Sequence, residues 1–239
     1  MVHLPGPPRA SLRPALVFDL GGVLIDWRPH AFVESLAPGV ALSGSERDWL
    51  MQCVFQDYGP SSDWVAFDLN RLELDELCAR IAKRLSGGRR IHPRLHCLTT
   101  LATGVEEWIH ALTDRLQPLS PNVAWLRALR MERWQLYFLS NMPRLFIPKV
   151  LRHRELFDCF DAGIFSGEVN LAKPDPALFA LAACRFSATT ESAANRFIFL
   201  DDHPANVAAA RSFGWRAILF DSLSSAQTQF ARLVSQSDA

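Results

Sequence analysis

One short apolar run, Ala15 to Leu20, stands near the start of the chain, and no other segment with strand patterning appears before Trp134. The run ALVFDL ends at Gly21-Gly22, which suits a buried parallel strand closed by a tight turn. From His30 to about Leu116 the apolar residues instead recur at helical spacing. SGSERDWLMQCVF opens on a serine-rich cap, ELDELCARIAKRLSGG is amphipathic and runs out at Gly87-Gly88, and HCLTTLATGVEEWIHALTDRL reads as a further helix. A stretch of that length is not left structureless in a compact protein. It is expected to form an all-helical cap.

After Pro118 the patterning alternates. Pro121 opens a helix, WQLYFLS is a strand, a helix surrounds Phe146 to Glu155, and a short strand covers Asp161 to Phe165. A helix from Pro174 to Cys184 follows, then the strand RFIFL, the helix PANVAAARSFG stopped by Gly214, the strand WRAILF and a last helix from Ser224 to Val234. Alternating strand and helix implies right-handed crossovers and a parallel sheet covered on both faces. The expected fold class is therefore α/β: a Rossmann-like parallel sheet with helices on both faces, plus an inserted all-helical cap. The boundaries fall at residues 14–27 and 118–239 for the sheet domain and 28–117 for the cap. Residues 1–13, proline-rich and without the apolar core of a secretory signal, are expected to be a flexible tail.

Composition excludes several classes. Hydrophobic residues make up 49% and charged residues 21%, which rules out a disordered, collagen-like or coiled-coil chain. No apolar run approaches the roughly 18 residues of a membrane span. Lys+Arg 25 balances Asp+Glu 25, so no basic face for nucleic acid is implied. The five cysteines are scattered and form no CxxC pair, which suits reduced, packed thiols and a cytoplasmic protein. No pattern specifies an oligomeric state.

In an open parallel sheet, ligands bind beyond the carboxyl ends of the strands. The residues expected there are Asp19, Ser140 with Asn141, and Asp201 with Asp202. Lys173, one of only three lysines, precedes a proline-opened helix in the same region. A carboxylate that attacks phosphorus needs a divalent metal to cancel charge between itself and the phosphate. Asp19, Asp201 and Asp202 offer the oxygen ligands Mg²⁺ prefers. Ser140 and Asn141 can hydrogen-bond phosphate oxygens, and Lys173 acts as a point charge.

Four motifs, FDLGGVLID (Phe18–Asp26), LSN (Leu139–Asn141), KPDPALF (Lys173–Phe179) and FLDD (Phe199–Asp202), stand in an order and spacing that resembles the haloacid dehalogenase (HAD) superfamily, in its helical-cap subclass. The resemblance runs from about Leu16 to the end. It implies that Asp19 is the nucleophile and that Ser140 and the Asn141 backbone hold the transferring phosphoryl group. It further implies that Lys173 stabilises the negative cluster, that Asp202 is a direct Mg²⁺ ligand and that Asp201 is a direct or water-bridged one. Asn206 would stand behind the ligands. The activity implied is a phosphatase acting on a small phosphorylated metabolite.

One position departs from the pattern. Phosphatases of the family usually carry a second Asp two residues after the nucleophile, as general acid and base. Here that residue is Gly21. Its carbonyl can still ligate Mg²⁺, but a general acid–base contributes about 10²–10⁴-fold in rate. The gap is shared with a bacterial glucose-1-phosphate phosphatase subgroup, whose anomeric leaving group needs little protonation and which suggests a sugar phosphate as substrate. The alternatives are a 2-haloacid dehalogenase, since halide needs no acid, and a weakened binding or regulatory protein. His203 or a cap residue is a candidate replacement acid. Plainer roles stand beside these: Asp202 and His203 as helix-start residues, Asp26 as a structural carboxylate, and the cap aromatics Phe55, Trp64 and Phe67 as packing. Gln56, Asp57 and Tyr58, before a Gly-Pro break, are candidates to touch substrate.

Overall fold

The computed structural model describes residues 14–59, 61–88, 95, 101–186 and 197–235. The expected tail and Cys97 lie outside the described residues. Five strands, β1 (Ala15–Phe18), β2 (Leu136–Ser140), β3 (Ala162–Phe165), β4 (Phe197–Asp201) and β5 (Arg216–Leu219), form one parallel sheet in the order β3-β2-β1-β4-β5. β1 is central, with Val17 opposite Tyr137 on one side and Phe199 on the other. The strands are short apolar runs because both faces are covered. Successive side chains alternate between two buried clusters: Leu16, Phe18, Leu136, Phe138, Ile198 and Leu200 enter one, while Val17, Leu139 and Phe199 enter the other.

The second face is closed by α10 (Pro176–Phe186) and α11 (Pro204–Ser212), through Leu178, Phe179, Ala182, Val207 and Ala210. The first face is closed by α6 (Ser120–Met131) and α12 (Leu223–Ser235), through Val123, Leu126, Leu129 and Ala226. Between β1 and β2 lie α1 (Pro29–Glu34), α2 (Gly44–Val54), α3 (Asp63–Asp68), α4 (Leu74–Gly88) and α5 (Ala102–Asp114), with no strand among the described residues. Their apolar faces join the same cluster as the first face of the sheet. Local chemistry starts α2 at the serine-rich cap that the sequence predicts, and starts α3 at a cap it does not single out. Ser43 and Glu46 close a reciprocal capping box on α2, and the Ser62 hydroxyl accepts the Val65 N–H at 3.2 Å.

Two elements differ from expectation. The helix expected around Phe146 to Glu155 is broken into α7 (Ile147–Val150) and α8 (Arg154–Phe157), because the backbone leaves the helical region at His153 (φ −76°, ψ 69°). A further turn, α9 (Ser166–Val169), follows β3 directly. It is too short to carry a periodic signal. Gly214 stops α11 as expected, at φ +97°, where glycine alone is unstrained.

Candidate active site

The chain runs β1, β2, β3 to one edge and then crosses to β4 and β5 on the other side of β1. The crevice beyond β1 and β4 is therefore the switch point where open α/β sheets bind ligands. Asp19 leaves β1 there, with its N–H bonded to the Leu200 carbonyl at 2.8 Å. Asp201 ends β4 and Asp202 follows it. The three carboxylates each present an oxygen within 4.8 Å of one another.

Lys173 joins them from the segment ahead of α10. Its buried ammonium lies 2.7 Å from Asp19 Oδ1 and 2.6 Å from Asp201 Oδ2. The Asn141 side chain holds that lysine in place from β2. Its Oδ1 accepts the Lys173 N–H at 2.8 Å, and its Nδ2 donates to the Lys173 carbonyl at 2.9 Å. The Asn141 side chain thus clamps the Lys173 backbone through one N–H and its carbonyl oxygen. Ser140 is buried at the end of β2 and lines the same cavity.

The two aspartates of the last motif play different parts. Asp201 has no exposed surface, and its oxygens accept from Lys173, from the His203 N–H at 2.8 Å and from Asn206 Nδ2 at 3.0 and 3.1 Å. Asp202 is exposed to the cavity and lies against Gly22. A Cβ at Gly22 would stand 2.2 Å from Asp202 Oδ2, and the residue is at φ +72°. Glycine there lets the loop after β1 reach the carboxylate. Asn206, on the first turn of α11, meets its partner as the spacing suggests. His203 caps α11, its Nδ1 accepting the Ala205 N–H at 3.3 Å. Asp26 pairs with Arg28 at 2.5 Å and is not part of the cavity wall.

Charge is unbalanced here: three carboxylates face one ammonium. Burial pushes Asp19 up to about 8; Lys173 opposes the rise, and Asp201 and Asp202 reinforce it. Asp202 is raised by burial and by Asp201. Burial works against the charge on Lys173, but Asp19 and Asp201 outweigh it and its pKa rises. Carboxylates this crowded and this dry call for a further cation.

A cavity of about 260 Å³ opens over Asp19, Ser140, Lys173 and Asp202. Its far wall comes from the segment between β1 and β2: Trp27, Tyr58, Trp64, Val65 and Asp68. Of the three residues expected to touch substrate, Tyr58 reaches the cavity. Gln56 instead accepts the Asp63 N–H at 2.8 Å, and Asp57 bonds Gln52. Asp68, at the end of α3, escaped the sequence reading. Its carboxyl is buried, and burial raises it well above the ordinary carboxylate range, against the pull of Lys173. A lone Asp in a helical stretch carries no motif that marks it. Gly21 lines the cavity beside Trp27, whose Cβ would stand 3.3 Å from a Cβ at Gly21. The acid absent at Gly21 is thus matched by an indole packed close to its place. The described cysteines are unpaired, and burial raises Cys53 to about 11 and Cys78 to about 12, as for inert packed thiols.

Known structures share this arrangement of strands and helices. A crystallised dehalogenase superposes with a TM-score of 0.62 at 18% identity, covering 90% of this chain and 87% of that one. The HAD-family enzyme bt-2542 from Bacteroides thetaiotaomicron gives 0.62 at 18% identity, covering 91% and 98%. The L-2-haloacid dehalogenase from Xanthobacter autotrophicus gives 0.60 at 18%, covering 92% and 83%. At such identities these likenesses show the fold. Among curated proteins, the drimenol cyclase drtB of Aspergillus calidoustus is 27% identical over 219 residues, 92% of this chain. The chain spans only 36% of the length of that relative. The model of the haloacid dehalogenase-like hydrolases matches residues 14–214, a span that carries β1 through α11 and the whole carboxylate–lysine cluster, and the chain belongs to that family.

Proposed function

We propose that this hydrolase is a Mg²⁺-dependent phosphatase acting on a small phosphorylated metabolite, through an aspartyl-phosphate formed on Asp19. The observation that carries the reading is the gathering of Asp19, Asp201 and Asp202 within 4.8 Å of one another, with Lys173 paired to the first two. The donor set fits the metal: it is all oxygen, and Asp202 faces the cavity with little else to bind. Asp19 and Asp202, with the Gly21 carbonyl, would hold the ion, while Asp201 is committed to Lys173, Asn206 and the His203 N–H and orients the site from behind. When bound, Mg²⁺ supplies the charge that lets an anionic carboxylate approach an anionic phosphate and draws Asp19 to its ionised form. The same fold in bt-2542 has been crystallised with magnesium and inorganic phosphate, at a TM-score of 0.57.

The protein's own groups divide the work. Asp19 Oδ1 is held by Lys173 and by the Leu20 N–H at 2.7 Å, which leaves Oδ2 to attack phosphorus in line. Lys173 and Ser140 stabilise charge on the equatorial oxygens. The leaving alcohol must take its proton from a group other than Gly21. Asp68 lies on the same cavity wall, and burial raises its pKa, the direction a general acid needs. Water then hydrolyses the aspartyl-phosphate.

A dehalogenase reading has one observation in its favour, the absence of an acid at Gly21, since halide leaves without a proton. The test is hydrolysis of p-nitrophenyl phosphate by the pure protein, with Mg²⁺ and with EDTA, beside Asp19→Asn. Mg²⁺-dependent turnover lost in the variant is the expected result. Chelator-resistant chloride release from a 2-haloacid, without phosphate turnover, would replace the phosphatase with the dehalogenase.

A further inference from the structure

The cavity is most polar at its floor. Asp19, Ser140, Lys173, Asp202 and Asn206 gather at the strand ends. Above them the wall is built from Ile25, Trp27, Trp64, Leu116, Met142 and Phe146, with prolines between. Trp64, Leu116, Met142 and Phe146 are also buried members of the main hydrophobic cluster, so the wall is part of the core and not a movable surface. Among the described residues, Tyr58, Asp68 and His203 bring polar side chains to the lining beyond the floor, with the indole N–H groups of Trp27 and Trp64. The Tyr58 hydroxyl is buried beside the Trp27 side chain. Lys173 is the single ammonium or guanidinium in the lining, and it is already shared by two carboxylates.

A ligand must match that wall. A sugar would bring several hydroxyls against a wall that is mostly apolar, and each unmatched group would lose its water without replacement. A second anionic group, such as the carboxylate of a 2-haloacid, would find no cation of its own. An apolar skeleton would give up only ordered water. We infer that the alcohol released from phosphate is apolar, of aromatic or hydrocarbon character, and not a polyhydroxylated sugar. The inference rests on the phosphatase reading for the group that reacts, and on the cavity wall for the rest. Gly21 adds that an alcohol of low basicity, such as a phenol, leaves most readily.

The experiment is a series of 4-alkylphenyl phosphates, from phenyl to 4-butylphenyl, compared with glucose 1-phosphate. The leaving-group basicity is nearly constant along the series while apolar size grows. Turnover with Mg²⁺ should rise about fourfold in kcat/KM for each methylene until the cavity is full, the equivalent of about 0.8 kcal/mol per group. Val65→Asn, which sets an amide on the half-buried cap wall, should flatten that dependence; Val65→Thr is the milder variant if the first fails to fold. Quenching of Trp27 and Trp64 fluorescence by the same esters reads binding without turnover. A chain-length dependence in quenching with no hydrolysis would uphold the apolar site and remove the phosphatase. Hydrolysis without chain-length dependence, or a preference for glucose 1-phosphate, would overturn the inference and leave the phosphatase standing. Flat quenching with no hydrolysis would remove both.

Discussion

Gly22 and Asn206 show how much of the site depends on residues that do no chemistry. Gly22→Ala would place a methyl group 2.2 Å from Asp202 Oδ2 at a positive φ, so the loop or the carboxylate must move. The expected outcome is a folded protein without metal-dependent turnover, checked by circular dichroism and a Mg²⁺ titration of activity. Asn206→Ala frees Asp201 from the Nδ2 bonds that orient it. Turnover should fall about 10-fold or more, because Asp201 then holds Lys173 less firmly against Asp19. Asp68→Asn should slow phenyl phosphate by about 10²-fold and p-nitrophenyl phosphate much less, since the better leaving group needs less of the acid. Equal losses on both substrates would assign Asp68 a role in binding instead. Asp19, Asp201 and Asp202 were legible because each sits at a strand end within a recognisable run, and Lys173 because it heads the KPDPALF run before a proline-opened helix. Asp68 was not, because its role comes from where α3 docks and not from its neighbours in the chain.

At the scale of elements, the helices α2 and α3 make separable predictions. Ser43→Ala removes the hydroxyl that accepts the Glu46 N–H and breaks the capping box. The cost should be about 1 kcal/mol, a Tm loss of about 2–4 °C in a chain of this size. Asp63, in the first turn of α3, receives Arg80 at 2.6 Å and Arg84, while Arg84 Nε also donates to the Cys53 carbonyl at 2.6 Å. Burial opposes the charge on Asp63, but the hydrogen bonds from Arg84 and Arg80 win, and its pKa is lowered from 3.8. A depressed carboxylate stabilises the fold above its unfolded value and ceases to as pH falls through its folded value. Asp63→Asn should therefore lower Tm at pH 7, and the gap from wild type should close below pH 3.8, as thermal melts across that range would show. Helix starts were readable because capping is a local affair of a few residues. The division of the expected helix into α7 and α8 was not, because the backbone at His153 is set by its surroundings: the His153 ring lies 2.9 Å from the Leu116 carbonyl.

The whole molecule is tied together across the cavity by a serine that no sequence pattern singled out. Ser166, wholly buried at the start of α9, donates to the Asp68 carbonyl at 2.7 Å and accepts the Met142 N–H at 2.8 Å. It thus joins the end of α3, 98 positions away, to the loop beyond β2. Arg71 adds a bond to the Asn170 carbonyl at 2.8 Å, and Lys149 one to Asp114 at 2.7 Å. Ser166→Ala leaves a buried carbonyl and a buried N–H without this partner, at about 1–3 kcal/mol. The helices between β1 and β2 also share one hydrophobic cluster with the sheet. Calorimetry should accordingly show one cooperative transition, lowered by several degrees in Ser166→Ala. Two resolved transitions would mean that the cap helices unfold by themselves.

The parallel sheet, the helical stretch after β1 and the strand-end carboxylates followed from the sequence alone, because period, caps and breakers act over a few neighbouring residues. Which of Asp201 and Asp202 faces the cavity, that Asn141 clamps Lys173, that Trp27 packs beside Gly21 and that Asp68 closes the far wall were decided only by the tertiary structure. Each of those facts joins residues from separate elements, and only the packing of α3 and β4 around β1 brings them within reach.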